Sequence, residues 1–336
     1  GDSFTLLKNT VMRLIWIYCL WILLASLSWS CSSQAGASAS DAYRTKVAVI
    51  PKGGSHQFWE QVAQGARNAG KETGLEVIWQ SPELESNLEQ QVQLVQDFVA
   101  QRVDAIVLAP LDSRGLVPAV KAARKRNIPV IIMDSELDAQ ELESFVATDN
   151  LKAGRLCAET LLAGIEKNPR IIMLRHIEGS ASTTKREAGF LQGIAESGRK
   201  VRLLSVDQYA GPTVESAAEQ AAALLKQYPK VNGIFCPNET STEGMLQAIR
   251  EAGLKQAPNF VGFDANPRLI AALEQGFIGG LALQDPINIG FQSVLTADKV
   301  IDGKPYETWI DTGVKMLTRE NIEDADIRKL LEGIVP

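Results

Sequence analysis

The chain has 336 residues, of which 45% are hydrophobic and 22% are charged, and its formal net charge is −6. These values are close to globular averages and exclude a collagen, a coiled coil or a disordered chain. The acidic charge and the lack of a basic run disfavour nucleic acid as a partner. Two histidines and four cysteines without a CxxC pair exclude a zinc ribbon, an iron–sulfur cluster and a disulfide scaffold. We therefore expect two domains with neither a metal nor a cofactor.

An uncharged apolar run occupies residues 14–27 (LIWIYCLWILLASL), with Met12 and Arg13 before it. The run is too short for a comfortable membrane span and has the length of a signal-peptide core. A buried core helix is the alternative, but three tryptophans and the lack of a polar face in residues 14–29 argue against it. We predict a signal segment over residues 1–30, of which residues 1–11 are an upstream extension if Met12 is the natural start.

Cys31 follows the predicted signal segment, in residues 30–34 (SCSSQ). This segment resembles the cleavage site of bacterial lipoproteins, in which the cysteine is acylated and anchors the protein to the membrane. The match is imperfect because Leu27 lies four places before the cysteine instead of three, and residues 35–37 (AGA) offer a competing site for soluble export. Both alternatives place the protein in the periplasm or at the cell-envelope surface, with residues 31–45 as a tether.

From residue 46 onward, short β-branched runs alternate with segments of helical period. A typical helical stripe consists of Phe58, Val62, Ala66 and Ala69. The runs predict strands at residues 47–50, 75–79, 105–109, 130–133, 170–175, 201–206, 233–236, 260–263 and 279–283. Apolar strands between amphipathic helices predict parallel sheets covered on both faces, and so many strands predict an α/β fold of two doubly wound lobes.

Ligands of doubly wound sheets bind beyond the carboxyl ends of the strands, so these ends hold the candidate site. Polar residues recur there, namely Lys52, residues 110–112, Asp134, Ser135, residues 176–180, Asn238, Glu239, Asp264, Gln284 and Asp285. The sequence contains no GxSxG nucleophile motif, no GxGxxG after the first strand and no GxxxxGK[ST] loop. We therefore expect a binding protein and no catalytic residues.

Seven segments, in chain order, carry a family resemblance. They are residues 52–65 (KGGSHQFWEQVAQG), 133–135 (MDS), 148–150 (TDN), 179–190 (GSASTTKREAGF), 237–239 (PNE), 261–264 (VGFD) and 284–286 (QDP). Together they resemble the periplasmic sugar-binding proteins of the ribose-binding class, which are the extracytoplasmic receptors of ABC importers. The resemblance extends over about residues 46–317.

The resemblance implies a type I periplasmic binding protein fold, in which two lobes are joined by a hinge of three crossovers. The crossovers are expected near residues 147–149, 283–285 and 310–313. The implied N-terminal lobe comprises residues 46–147 plus 285–311, and the implied C-terminal lobe comprises residues 148–284 plus 312–336. The implied function is that a monomer captures a neutral sugar or polyol between the lobes and delivers it to the membrane permease of an ABC transporter.

The resemblance also implies a set of ligand-binding residues. The polar members are Lys52, His56, Asp134, Ser135, Arg186, Asn238, Asp264 and Gln284. The aromatic members, expected to cover the faces of a sugar ring, are Phe58, Trp59, Tyr209 and Phe263. Every sugar hydroxyl both donates and accepts, so carboxylates, amides and a guanidinium can pair with it, while flat rings complement its C–H faces.

Three positions depart from the ribose-binding pattern. Ser135 stands where arginine is usual, Ala109 where asparagine is usual, and Lys52 where serine is usual. Because these positions read hydroxyls, the ligand is expected to be another pentose, a hexose, a sugar alcohol or a cyclitol. Two aspartates against Arg186 and Lys52 balance formally, which favours a neutral ligand.

Each candidate also has a structural interpretation. The aspartates and Asn238 could cap helices, since these residue types are common N-caps. Arg186 could be a solvated charge on a helix, and Lys52 could be solvated in a loop. The adjacent Phe58 and Trp59 could both belong to the core.

Three other functions remain open for this fold. A sugar-responsive repressor would need a helix-turn-helix where the export leader stands. An extracellular receptor for a chemoreceptor or sensor kinase is an alternative that the sequence does not separate from transport. A sugar-modifying enzyme would need catalytic groups beyond the motifs present.

Overall fold

The structure is a computed structural model that describes residues 44–334, apart from residues 55, 141, 255 and 256. The predicted signal segment, its upstream extension, Cys31 and almost all of the tether lie outside the described residues. The residues from Thr45 onward form one compact unit. Among the described residues, no helix combines the length and hydropathy needed to cross a membrane.

The described strands form two six-stranded sheets. The strands of the first sheet are β1 (Lys46–Ile50), β2 (Glu76–Trp79), β3 (Ala105–Leu108), β4 (Val130–Met133), β5 (Ser144–Ala147) and β11 (Trp309–Asp311). They lie in the order β11-β5-β4-β3-β1-β2, and every neighbouring pair is parallel.

The second sheet repeats this plan. Its strands are β6 (Arg170–Met173), β7 (Arg202–Ser205), β8 (Gly233–Phe235), β9 (Asn259–Phe263), β10 (Gly280–Leu283) and β12 (Lys315–Leu317). They lie in the order β12-β10-β9-β8-β6-β7, and only β12 is antiparallel to its neighbour.

Helices cover both sheets. Those packed on the first sheet are α1 (Gln57–Thr73), α2 (Leu88–Gln101), α3 (Val117–Lys125) and α9 (Pro286–Ile301). The others are α4 (Asn150–Ala163), α5 (Ala181–Glu196), α6 (Val214–Gln227), α7 (Glu239–Glu251), α8 (Pro267–Glu274) and α10 (Ala325–Leu330). We call the first sheet with its helices the first lobe, and the second sheet with the remaining helices the second lobe.

The strand sequences explain this layering. Successive side chains of a strand point to opposite faces, and in β1 the pair Val47 and Val49 packs in one core layer while Ala48 and Ile50 pack in another. All four side chains are fully buried. Each strand of a parallel sheet that is buried on both faces is therefore a continuous apolar run in the sequence. The predicted α/β fold class is confirmed.

All nine predicted strands form, but β5, β11 and β12 were not predicted. β11 and β12 have three residues each, and β11 is an edge strand whose Trp309 is 44% exposed. Such short, partly exposed strands lack the apolar run that marks a central strand. β5 begins with the polar residue Ser144, whose hydroxyl donates to the backbone oxygen of Glu307 at 2.7 Å.

Glycines let α4 and α5 approach closely in the second lobe. A Cβ on Gly154 would lie 2.0 Å from the backbone oxygen of Arg186, and a Cβ on Gly189 would lie 2.1 Å from the backbone oxygen of Leu151. Neither position has room for a side chain. This contact fixes the turn of α5 that carries Arg186, a residue of the candidate site.

The chain passes between the two sheets three times, after β5, after β10 and after β11. Two of the crossing segments are bonded to each other, because Asp311 Oδ1 accepts from the backbone N–H groups of Asp149 at 3.2 Å and Gly313 at 2.9 Å. Thr148 Oγ1 donates to the backbone oxygen of Gly313 at 3.2 Å. These two crossings therefore lie side by side.

Candidate ligand-binding site

A cavity lies between the two lobes, at the carboxyl ends of their strands. The space within it that is open to the centres of water-sized molecules is about 40 Å³, so the closed lobes leave a small cavity. The residues that line it are Lys52, His56, Phe58, Trp59, Glu85, Asp134, His176, Ser180, Ser182, Thr183, Arg186, Asn238, Glu239, Thr240, Asp264 and Gln284. Both lobes contribute, and most of these side chains are polar.

The structure brings nine of the twelve candidates from the sequence into this lining. They are Lys52, His56, Phe58, Trp59, Asp134, Arg186, Asn238, Asp264 and Gln284. Except for His56, these side chains are at least nine-tenths buried. Neither Lys52 nor Arg186 is solvated in this structure, since these residues are only 5% and 2% exposed.

The other three candidates lie outside the lining. Ser135 is fully buried, and its hydroxyl accepts from the backbone N–H of Ser182 at 3.0 Å. Phe263 is fully buried beneath Arg186, whose guanidinium carbon lies 3.9 Å from the ring centroid. Tyr209 lies under the guanidinium of Arg175 at 4.5 Å. In this structure the two aromatic rings therefore lie beneath arginines and outside the lining, and the ring-covering role expected for them stays a prediction.

Seven lining residues are absent from the ligand-binding set that the resemblance implied, and they are Glu85, His176, Ser180, Ser182, Thr183, Glu239 and Thr240. Most of them had a usable signal, because they follow β6 and β8 or begin α5 and α7, where strand-end residues face a ligand. Glu85 had no such signal. It lies in the loop between β2 and α2, six residues beyond the end of β2.

Two aspartates occupy equivalent places in the two lobes. Asp134 follows β4 and Asp264 follows β9, and both have left-handed backbone conformations, with φ values of 61° and 65°. The backbone N–H of each bonds to the next strand, to Val146 O and Ala282 O respectively, at 2.9 Å. Neither caps a helix, since α8 is capped by Asn266. Strained positive-φ residues of this kind cluster at ligand sites.

Asn238 serves two purposes. It is the N-cap of α7, because its Oδ1 accepts from the backbone N–H of Ser241 at 3.2 Å. The same residue lines the cavity. The structural and the ligand-binding interpretations are therefore compatible at this position.

Arg186 is held by groups on three sides. Its Nε donates to Asn150 Oδ1 at 2.8 Å, one Nη donates to the backbone oxygen of Pro237 at 2.9 Å, and Phe263 lies beneath the guanidinium. The second Nη is buried and has no hydrogen-bonding partner within the described part of the chain. A fixed guanidinium with one free donor is suited to bind an acceptor atom in the cavity.

Gln284 provides the complementary group. Its Nε2 donates to Asp264 Oδ1 at 2.7 Å. Its Oε1 is buried, and among the described residues it has no donor. The cavity thus offers a buried donor on Arg186 and a buried acceptor on Gln284, both of which a hydroxyl group could satisfy.

Lys52 joins the two lobes at one side of the cavity. Its Nζ lies 3.0 Å from Asp134 Oδ2 in the first lobe and donates to Ser182 Oγ at 3.0 Å in the second lobe. Because β3 lies between β1 and β4, Lys52 and Asp134 meet across the end of β3, which Ala109 follows.

The cavity is closed by further contacts between the lobes. The backbone N–H of Phe58 donates to Glu239 Oε2 at 3.2 Å, and His56 Nε2 lies 3.2 Å from Thr240 Oγ1. The rings of Phe58 and Trp59 meet edge to face, with centroids 4.8 Å apart. The structure therefore describes the lobes in a closed arrangement.

Carboxylates outnumber lysine and arginine side chains in the cavity lining. The sequence-based expectation of two carboxylates balanced by two cations is therefore wrong for the whole lining. Glu85 and Glu239 join Asp134 and Asp264, against Lys52 and Arg186. Burial raises the pKa of Asp264 to about 6, although the Arg186 guanidinium opposes this shift. Burial also raises the pKa of Glu239 to about 7, and the nearby Asp264 carboxylate adds to the shift.

The raised pKa of Asp264 predicts how the free energy of unfolding depends on pH. A carboxyl whose pKa rises from 3.8 to about 6 on folding is destabilising when ionised, by up to about 3 kcal/mol in the closed protein. Asp264→Asn should therefore raise the free energy of unfolding at pH 7.5, and the gain should disappear as the pH falls below about 4, where the wild-type carboxyl is neutral in both states.

Urea unfolding of the wild type and Asp264→Asn between about pH 3 and pH 7.5 measures this difference. Asp138→Asn is the matched control, because the side chain of Asp138 is 72% exposed. A stability difference between Asp264→Asn and the wild type that does not change with pH would contradict the prediction.

Other sites are not apparent in the described residues. Among them, no cluster of three or more His, Cys, Asp and Glu side chains could hold a metal ion. Cys157 and Cys236 are free thiols and fully buried, in different core layers of the second lobe. Burial raises the pKa of both thiols well above the usual range, so they behave as apolar side chains.

Two doubly wound lobes that close on a polar cavity define the class of two-lobed solute-binding proteins. The sequence model of the periplasmic binding protein domain matches residues 47–305. The chain therefore belongs to the periplasmic binding protein family, as the resemblance in the sequence implied.

Individual relatives agree with this assignment. A periplasmic component of an ABC-type sugar transport system from Hahella chejuensis is 37% identical, with a TM-score of 0.78, over 81% of this chain and 100% of that chain. A carbohydrate transporter solute-binding protein from Agrobacterium radiobacter, solved with D-arabinose, is 30% identical, with a TM-score of 0.83, over 87% and 99% of the two chains. The ribose import binding protein RbsB of Escherichia coli strain K12 is 26% identical over 88% of this chain and 98% of that protein.

Proposed function

We propose that the protein captures a monosaccharide, sugar alcohol or cyclitol in the interlobe cavity and delivers it unchanged to the membrane permease of an ABC importer. The observation that carries the proposal is the pair of buried groups on Arg186 and Gln284, a donor and an acceptor that lack partners among the described residues. A hydroxyl both donates and accepts, so a polyol matches such a pair. The D-arabinose bound to the Agrobacterium radiobacter relative supports the same ligand class.

In this proposal the ligand contacts have distinct roles. Asp134 and Asp264 accept hydrogen bonds from hydroxyls, and Arg186 donates to a ligand oxygen. Asn238 and Gln284 each donate and accept. Hydrogen bonds to charged partners contribute about 1.5–3 kcal/mol each, so four or five of them support sub-micromolar binding after the cost of association.

Phe58 and Trp59 provide the apolar part of the site. Both side chains line the cavity and are less than a tenth exposed. Their rings would cover the C–H faces of a sugar ring, while their outer edges pack in the core of the first lobe. Core packing and ligand contact are therefore combined in these two residues.

The ligand is proposed to differ from ribose. Lys52 holds one oxygen of Asp134, and Ser135 is turned toward Ser182 across the cleft. Lys52 and Ser135 thus differ in chemistry from the residues that bind hydroxyls at these positions in the ribose-binding pattern. Ala109 has no polar side chain at the third such position. Another pentose, a hexose, a sugar alcohol or a cyclitol is the proposed class.

The lobes are proposed to open and close about the three crossings. The lobe boundaries of this proposal are residues 46–147 plus 285–311 and residues 148–284 plus 312–336. Contacts such as Lys52 with Ser182 exist only when the lobes are closed, so a ligand that bridges them shifts the equilibrium toward the closed form. The closed form is the one that docks on the permease.

Export of the chain completes the proposal. Residues 1–30 would direct the chain out of the cytoplasm. Either acylation of Cys31 or cleavage after residues 35–37 would follow, and the exported protein would act as a monomer. Relatives of this family act as periplasmic components of sugar transport systems, which supports an extracytoplasmic location.

A thermal-shift screen tests the function. Pentoses, hexoses, sugar alcohols and cyclitols are each added to the purified protein, and one of them is expected to raise the unfolding temperature. A ligand at 100 times its dissociation constant adds about 2.7 kcal/mol to the free energy of unfolding. Recovery of the same compound unchanged after incubation distinguishes binding from enzymatic conversion.

X-ray scattering with and without the same compound tests the closure. The radius of gyration is expected to fall on binding. If no compound of these classes stabilises the protein, the proposed ligand class is wrong, and identical scattering with a stabilising ligand would exclude the opening and closing motion.

A further inference from the structure

Glu85 brings a buried carboxylate from a loop into the cavity. The residue is only 8% exposed, and its Oε1 accepts from the indole Nε1–H of Trp59 at 2.5 Å. Trp59 is one of the two aromatic residues of the cavity lining. Glu85 therefore holds the orientation of a ring that faces the ligand.

The other carboxylate oxygen of Glu85 faces His176 of the second lobe. His176 Nε2 lies 3.4 Å from Glu85 Oε2, and the imidazole is 3% exposed. His176 follows β6, and its backbone N–H donates to Glu187 Oε1 at 3.4 Å. The pair thus connects a loop of the first lobe to a strand end of the second lobe.

Both ring nitrogens of His176 are buried, and no described residue forms a hydrogen bond with either of them. Nε2 faces the Glu85 carboxylate at 3.4 Å, whereas Nδ1 has no such contact among the described residues. A buried polar atom without a partner costs about 1–3 kcal/mol, so native proteins rarely leave one unpaired unless a ligand or water meets it. His176 is a lining residue of the cavity, where such a ligand would lie.

The contact on one ring nitrogen determines the proton on the other. An ionised carboxylate can only accept hydrogen bonds, so the Glu85 carboxylate favours a proton on the facing Nε2, which leaves a lone pair on Nδ1. We infer that Glu85 and His176 form a ligand-reading pair across the cleft, in which Glu85 fixes the Nε2–H form of His176 and His176 Nδ1 accepts a hydrogen bond from a ligand hydroxyl. This inference rests on the proposed function and adds a specificity-determining residue to it.

The charges around the pair are consistent with this arrangement. Burial would raise the pKa of Glu85, but His176, His56 and Lys52 outweigh burial and lower it to about 2. Burial lowers the pKa of His176, and the Glu85 carboxylate only partly opposes it while Lys52 and His56 add to the lowering. Glu187 also lies beside His176, because its Oε1 accepts from the backbone N–H of His176. At neutral pH the pair is a carboxylate beside a neutral imidazole.

Nuclear magnetic resonance of the imidazoles tests the pair without any ligand. The sequence contains only His56 and His176, so an untagged protein gives two sets of signals, and His176→Gln identifies one of them. The ¹⁵N shifts of His176 are expected to show the Nε2–H form, with a pKa below that of a free histidine. In Glu85→Gln, which keeps an acceptor for Trp59, the pKa of His176 should fall further and the second tautomer should appear.

The same experiment, without a ligand, can contradict the proposed Glu85–His176 pair. If Glu85→Gln leaves the titration and the ¹⁵N shifts of His176 unchanged, Glu85 does not act on His176. Glu323→Gln is the matched control, because it removes a carboxylate from an exposed ion pair with Arg328, and it should leave both histidines as in the wild type.

Calorimetry tests the ligand-reading role, with D-arabinose, D-ribose, D-galactose and xylitol as probes. Asparagine places its amide near Nδ1 of a histidine, whereas glutamine reaches the position of Nε2. His176→Gln should therefore weaken binding by about tenfold or more, and His176→Asn should recover part of the loss. Equal affinity of His176→Gln and the wild type would exclude His176 as a ligand residue.

The two proposals fail separately. If the wild type binds none of the probes and no compound of the thermal-shift screen, the proposed function is wrong, whereas the resonance experiment still decides whether Glu85 fixes the imidazole. If the wild type binds a probe and His176→Gln binds it equally well, the function stands and the inference is overturned.

Discussion

Replacing Arg186 by alanine should abolish sugar-induced stabilisation and also destabilise the protein without its ligand. The guanidinium supplies the free buried donor of the cavity, so its loss removes a charged hydrogen bond to the ligand. It also leaves Asn150 Oδ1 and the backbone oxygen of Pro237 without their donor. The expected loss in the free energy of unfolding is about 3 kcal/mol, since the buried Asp264 carboxylate loses a neighbouring cation.

Arg186→Lys separates the charge of the side chain from its shape. Lysine keeps the positive charge but lacks the planar fork that holds two acceptors and leaves a third donor for the ligand. This variant should therefore be closer to the wild type in stability while its sugar affinity stays low. Thermal shifts and urea unfolding of both variants, with near-ultraviolet circular dichroism to check the fold, measure the two effects.

Arg250→Ala is the matched control for Arg186→Ala. Arg250 also lies over a phenylalanine, Phe277, at 5.1 Å, and donates to Gln275, but this arginine lies outside the cavity lining. Its removal should cost less than about 1 kcal/mol and preserve the response to sugar. An Arg186→Ala protein that is stabilised by sugar as strongly as the wild type would show that Arg186 does not hold the ligand.

The sequence predicted the central strands because a parallel strand buried on both faces must be apolar along its whole length. β1 and β3 are examples, with side chains that are almost all fully buried. Edge strands escape this rule since one side of the sheet is exposed to solvent there. Trp309 of β11 illustrates the point, because it belongs to a strand of only three residues.

The site was predictable where a side chain directly follows a central strand. Asp134, Asp264 and Gln284 satisfy this condition, and they line the cavity. Phe263 does not, because it is the last residue of β9 itself and its ring points into a core layer of the second lobe. Adjacency to Asp264 in the sequence therefore did not place it in the cavity.

The positions of Tyr209 and Glu85 relative to the cavity were not predictable from the sequence, because they depend on the three-dimensional structure. Tyr209 follows β7, which is an edge strand, and its ring lies outside the cavity lining, beneath the guanidinium of Arg175. Glu85 reaches the cavity from a loop, and its position depends on bonds to Trp59 and on the proximity of His176 in the other lobe. Contacts between residues far apart in the chain have no local pattern in the sequence, which is why the acidic excess of the cavity was missed.

Replacing Lys52 by methionine should weaken sugar binding by about 100-fold, which is the second large effect expected. Methionine keeps the length of the side chain but removes the charge that faces Asp134 Oδ2 at 3.0 Å and the hydrogen bond to Ser182. Breaking a buried ion pair leaves one charge uncompensated and costs about 3–5 kcal/mol. The protein can avoid part of this cost by opening, because Asp134 is then hydrated, so the loss falls on closure and hence on affinity.

A second cross-lobe pair provides the control for Lys52→Met. Lys185 Nζ lies 2.5 Å from Glu136 Oε1, but these side chains are 47% and 39% exposed. An exposed pair contributes at most about 1 kcal/mol, so Lys185→Met should reduce affinity far less than Lys52→Met. Calorimetry with the sugar from the screen, together with the radius of gyration of each variant, makes the comparison.

A double-mutant cycle assigns the effect of Lys52 to its partner. In the Lys52→Met protein the Asp134 charge is uncompensated, so Asp134→Asn should restore the compact form that Lys52→Met loses, whereas the same change in the wild type should weaken sugar binding. The coupling between the two positions should exceed about 1 kcal/mol, as for residues in direct contact. Equal affinities of Lys52→Met and Lys185→Met would mean that the buried pair does not control closure, and that other contacts between the lobes, among them those of Phe58 and His56, hold the closed form.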